Sequence, residues 1–178
     1  MGMDELSAPT GHEDAPSWRG RVVLDFARSE LFDRTFREGM ELVEETASYL
    51  DGPGRQESKQ LSRTAALGYA GESMRLTTRL MQVASWLLVQ RAVREGDMEP
   101  HAACDSRYRL AREALAADSE PGRRDILPIG LIDLLERSER LYERVMHLDR
   151  RMYLEAAQTP QPHSVLSQME KLRAAYGR

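Results

Sequence analysis

The sequence predicts an all-α protein: an antiparallel three-helix bundle with one very long central helix, plus short crossover and C-terminal helices. The run from Arg55 to Gly96 holds no proline, and as one helix it would span roughly 60 Å. Two interleaved seven-residue series mark it: Leu67, Met74, Met81, Leu88 and Leu76, Val83, Gln90. With Leu80, Ala84, Leu87 and Arg91 in neighbouring positions, they draw an apolar stripe along one side. Such a helix cannot bury its stripe alone. It needs shorter helices laid along it, a second copy of itself, or both.

Residues 1–28 read as a mobile N-terminal segment, because Pro9, Gly11, Pro16 and Gly20 interrupt every potential element. Trp18 stands out there as a loosely docked side chain or a binding residue. Val22, Val23, Leu24 and Phe26 have strand propensity, but nothing later offers a strand to pair with, so the preferred reading is a lead-in packed on the bundle.

The bundle domain is expected over residues 29–157. Its first helix should run from about Ser29, a plausible N-cap followed by Glu30, to Leu50. Phe32, Phe36, Val43, Ala47 and Leu50 recur at helical steps. Gly39 inside this pattern marks a bend or a close contact with another helix. Asp51-Gly52-Pro53-Gly54 stops the helix in a short turn, making the first two helices antiparallel neighbours. The second helix is expected from Arg55, with Gly68 and Gly71 as sites of close packing or a slight kink. Trp86 beside Leu87 and Leu88 widens its stripe beyond what one partner would cover, which argues for a homo-oligomer.

Gly96 to Asp125 reads as a crossover with a modest helix over Ser106–Ala117, letting the third long helix return along the second. That helix should start near Pro128 and end near Ala157, with Leu131, Leu134, Leu141, Val145, Leu148 and Met152 on its stripe. Residues 158–178 form a C-terminal tail. A short helix there would align Val165, Leu166, Met169 and Leu172, either as a loosely packed appendage or as a tail contact for a partner.

The chain carries 25 Lys+Arg against 29 Asp+Glu, a net charge of -4, so nothing draws it globally to a phosphate backbone, and nucleic acid is disfavoured as a partner. Cys104 is the single cysteine, which excludes an internal disulfide framework and a multi-thiolate zinc site. Without an uninterrupted apolar run of membrane-spanning length, the chain reads as soluble and cytoplasmic. His101 with Cys104 makes half a zinc clip without its other half. Glu143 and His147 lie a turn apart, but no Glu-x-x-His of the di-iron type exists. No catalytic residue, cofactor-binding residue or metal ligand is assigned, and no cofactor is expected. Glu72, Arg75 and Arg79 share a helix face, as a buried charge network or anion site, or as a solvated interface rim. Together with Met81 and Trp86 they form the candidate dimer or partner surface.

Two segments, Phe36–Arg55 (FREGMELVEETASYLDGPGR) and Tyr69–Leu88 (YAGESMRLTTRLMQVASWLL), resemble the alphaproteobacterial RcdA family, regulators of CtrA degradation whose members were long classed as a domain of unknown function (DUF). The resemblance covers roughly Ser29 to Ala157. It implies a dimerising helical bundle without catalytic activity, acting as an adaptor for the ClpXP protease during the cell cycle. The partners implied are a second copy, ClpXP with its response-regulator or cyclic-di-GMP-dependent adaptors, and CtrA-like substrates. The location implied is the cytoplasm, with concentration at a cell pole. The alternative function is a DNA-associated regulatory protein without catalysis.

Overall fold

The computed structural model describes residues 18–110 and 124–153. They form five helices, α1 (Trp18–Ala27), α2 (Glu30–Asp51), α3 (Pro53–Ser58), α4 (Arg63–Glu95) and α5 (Ile129–Tyr153). Three 3-10 turns, Ala102–Cys104, Ser106–Tyr108 and Arg124–Ile126, complete the pattern, and no strand occurs among the described residues. The expected helix over the tail lies outside them, as does most of the modest crossover helix, whose first residues form the 3-10 turn Ser106–Tyr108.

The lead-in around Val22–Phe26 is helical. Helical register places Val23 and Ala27 wholly inside and brings the Phe26 ring to 5.7 Å from that of Trp86. Ser29 then ends α1 and begins α2. Its Oγ donates to the Phe26 carbonyl at 2.7 Å and accepts from the Phe32 N–H at 3.2 Å, capping the new N-terminus. Glu30 and Asp33 sit in the first turn, where the helix dipole favours acids.

The expected stop after α2 is there, but the second helix does not start at Arg55. Gly52 closes α2, its N–H bonding the Ser48 and Tyr49 carbonyls. Pro53 then opens the one-and-a-half-turn α3, because its fixed φ suits a first helical position. The long helix begins only at Arg63, where Ser62 Oγ accepts from Ala65 N–H at 3.3 Å. A second competent cap was present, and it divided the expected run. The 33 residues of α4 extend about 50 Å. Gly96, at φ 84°, ends it in the left-handed conformation that glycine takes most cheaply.

The cross-links between helices fix their directions. Arg94 pairs with Asp33, and Gly39 meets Leu87, so α2 and α4 run antiparallel. Arg137 pairs with Glu45 at 2.6 Å and Arg144 with Glu38 at 2.5 Å, so α2 and α5 do too. Arg79 meets Ser138 and Trp86 meets Asp149, so α4 and α5 run parallel. That arrangement requires the chain to return from one end of the bundle to the other between Glu95 and Ile129, which a tight turn cannot do.

Gly39 is a close-contact glycine rather than a bend: a Cβ there would lie 2.7 Å from Leu87 Cδ1. At the other end Tyr49 fills the space between Gly54 and Gly130, where a Cβ would come within 2.6 Å of its ring. The core runs from Val23, Phe32 and Leu42 through Leu76, Val83, Trp86 and Leu87 to Leu131, Leu135, Leu141 and Val145.

Candidate functional site

The two heptad series of α4 part company in the fold. Leu76, Val83 and Gln90 are buried. Leu67, Met74, Met81 and Leu88 are exposed at 69%, 71%, 65% and 50%. Seven residues are nearly two turns, so each series keeps to its own side of the helix. The single stripe expected from sequence is thus two faces, and the bundle covers only one.

Charge follows the opposite rule. Glu72 and Arg79 are buried and Arg75 is half-buried. From Thr64 to Leu88 every exposed residue of α4 is uncharged: Thr64, Leu67, Ala70, Gly71, Met74, Thr77, Thr78, Met81, Ser85 and Leu88. That face runs about 36 Å along the helix, with only the half-buried Arg75 bringing a charge near it. Four apolar knobs stand there among small residues, the relief into which a further helix packs its own side chains. An ordinary solvated helix places its charges on that face.

Met81 stands between two hollows. One, of about 430 Å³, lies between α4 and the crossover and is lined by Thr78, Gln82, Ser85, Trp86, Val89 and Arg107–Leu110. The other, of about 310 Å³, lies toward α2 and is lined by Val43, Thr46, Ala47, Leu50, Thr77, Leu80 and Ala84.

The remaining residues singled out by sequence lie behind this face. Glu72 Oε1 accepts from Arg75 at 2.6 Å. Arg79 reaches α5, donating to Ser138 Oγ at 2.8 Å and to Glu139 at 3.4 Å. Burial pulls its pKa below the ordinary guanidinium value. Glu139 also accepts from Arg124 at 2.5 Å, and that bond raises the Arg124 pKa. Glu72 and Arg79 are thus buried in two separate pairings, with Arg75 half-buried beside Glu72. Trp86 is 2% exposed and offers no surface within one chain, because α1 covers it. Val165, Leu166, Met169 and Leu172 lie outside the described residues.

Sequence reasoning missed the polar cluster beneath Trp86. Its indole N–H donates to Asp149 Oδ1 at 3.0 Å. Arg109 Nε and Nη2 grip the same carboxylate at 3.1 and 2.9 Å, and its guanidinium lies 4.5 Å over the Tyr153 ring. The Tyr153 hydroxyl donates to the Ala103 carbonyl at 3.2 Å and accepts from Gln90. Burial, foremost, raises that phenol to about 12. No local motif announces partners some sixty positions apart. One usable signal was Asp149, an acid at a stripe position of α5.

Cys104 is half-buried, its thiol directed at the Pro100 carbonyl and pushed up in pKa by burial. Glu143, His147 and His101 are exposed. Among the described residues no group of three or more His, Cys, Asp or Glu could hold a metal ion, and no helix is long and apolar enough to cross a membrane. The arrangement presents an uncharged apolar face on α4.

Residues 23–176 match the model of a family described as protein of unknown function (DUF1465). Among solved structures, RcdA from Caulobacter crescentus CB15 is 71% identical, over 74% of this chain and 98% of that one, with a TM-score of 0.59. No curated protein matches the chain.

Proposed function

This chain belongs to the DUF1465 family, together with RcdA, and from that premise we propose that it is a non-enzymatic adaptor that promotes ClpXP proteolysis of cell-cycle regulators of the CtrA type. The observation that carries the reading is the uncharged outer face of α4. A scaffold needs a large preformed surface, and between Thr64 and Leu88 this one turns its apolar knobs outward while no exposed residue there is charged.

A second copy is the proposed occupant of that face. Laid antiparallel on itself about an axis between Thr77 and Thr78, α4 matches Leu67 with Leu88 and Met74 with Met81. Gly71, Thr77 and Thr78 leave room for close approach, and the α2 side of Met81 adds Val43, Ala47 and Leu50. Such self-matching is what a two-fold interface requires. The response-regulator and cyclic-di-GMP-dependent adaptors of the protease are proposed as further partners, and a cell pole as the place of action.

The test is reconstituted proteolysis. Purified ClpXP, its upstream adaptors and a CtrA-type response regulator are combined with and without this chain. Faster loss of the regulator supports the reading. Unchanged loss with a folded chain and all upstream adaptors present overturns it.

A further inference from the structure

We propose that the chain's own C-terminal segment lies in the hollow between α4 and residues 107–110, seated there by Val165, Leu166, Met169 and Leu172. This goes beyond the adaptor reading and does not depend on it. The hollow is apolar at Met81, Val89 and Leu110, so its occupant must bring apolar side chains.

The tail meets that condition. Val165, Leu166, Met169 and Leu172 follow steps of one, three and three, which places them on one side of a helix. The family match continues to residue 176, so this segment lies within the matched region.

Its point of departure favours this hollow. The described chain ends at Tyr153, whose ring lies under Arg109, and Arg109 lines the hollow. Ten residues, Leu154–His163, connect Tyr153 to the amphipathic segment, a reach of up to about 33 Å. Tethering at this range gives an effective concentration on the order of 1 mM, so weak intrinsic affinity suffices for occupancy. Residues 111–123 also leave from the rim, but Arg124 pins their far end to Glu139 on α5.

Disulfide trapping tests this in the full chain. Cys104→Ser removes the native thiol, and Ser85→Cys is paired with Met169→Cys. The expected result is an intrachain bond in the monomeric fraction at low protein concentration. A control pairing Ser48→Cys, exposed on α2, with Met169→Cys should trap far less. Equal trapping in both, or bonds found only between copies, overturns the proposal. A second readout needs no new thiol. In Leu166→Glu/Met169→Glu, the methyl resonances of Met81 and Val89 should shift from those of the parent chain while the circular dichroism of the bundle persists. Unmoved methyl signals would mean that something else, residues 111–123 included, fills the hollow.

Discussion

The indole of Trp86 on α4 and the carboxylate of Asp149 on α5 meet at 3.0 Å, with Arg109 of the crossover closing on the same acid from the other side. One buried carboxylate thereby joins two parallel helices to the segment between them. Parallel neighbours cannot be held by a tight turn, so this contact does much of what a short loop does for α2 and α4.

Removing the acid should therefore cost more than removing the indole donor. Trp86→Phe keeps most of the packing and leaves Asp149 with Arg109, for a loss of about 1–2 kcal/mol. Asp149→Ala strands both donors. Breaking a buried pair costs about 3–5 kcal/mol, and the lower end applies because Arg109 retains access to solvent. Trp86→Ala should cost about 3–5 kcal/mol through the space it empties. Urea unfolding of the three variants checks the order. Equal midpoints for Trp86→Phe and Asp149→Ala would show that the carboxylate joins nothing.

Two helix glycines should respond in opposite directions to the same change. A methyl at Gly39 falls 2.7 Å from the buried Leu87 Cδ1, whereas one at Gly71 meets nothing within 4 Å. In the monomeric chain Gly71→Ala should stabilise by up to about 1 kcal/mol, the intrinsic helix preference for alanine. Gly39→Ala gains the same preference but overpacks the α2–α4 contact, which typically costs about 1–3 kcal/mol. The net is a lowered melting temperature. Melting curves that move the same way for both would remove the close-contact account of Gly39.

That contrast bears on what was legible beforehand. The all-α class, the Ser29 cap, the stop at Gly52 and the three long helices follow from local patterns, and local patterns are what a single sequence displays. The face assignment of α4 was not legible, since the Leu67 and Leu76 series have the same period and similar apolar character. Only the positions of α1, α2 and α5 decide which is covered. Trp86 reads as surplus apolar surface in the sequence because the lead-in around Val22–Phe26, expected to pack on the bundle, carries no sign of being the helix whose Phe26 lies against that indole. Met81 alone of the named candidates on α4 is an exposed apolar side chain, while Arg79 turns inward to Ser138 and Glu139 and Glu72 is buried against Arg75.

Alkaline pH should weaken the fold through its tyrosines. Burial raises Tyr153 to about 12, and Tyr49 and Tyr69 are raised too, again chiefly by burial. A phenol whose folded pKa lies above its unfolded value near ~10 stabilises fully below ~10. That contribution is lost as pH climbs toward the folded value. Stability should therefore fall between about pH 10 and 12. Tyr153→Phe should flatten part of this limb while lowering stability at neutral pH, because the bond to the Ala103 carbonyl disappears. Denaturant midpoints of both proteins across that range would show it, and parallel alkaline limbs would contradict it.

The exposed face of α4 gives the sharpest separation of folding from assembly. Met81 is 65% exposed, so Met81→Glu removes little that the single chain has buried, and its melting temperature should stay within a few degrees at a concentration where the chain is monomeric. In the proposed dimer the same side chain sits opposite Met74 near the axis, and each variant appears twice by symmetry. Two carboxylates desolvated at the centre of an apolar interface should weaken self-association by at least about 100-fold. Glu143→Gln, on the exposed side of α5, changes charge without touching that face and should leave association intact. Sedimentation over a dilution series reads all three proteins. Dimers of unaltered strength in Met81→Glu would move the interface off α4 and leave its uncharged face to another partner.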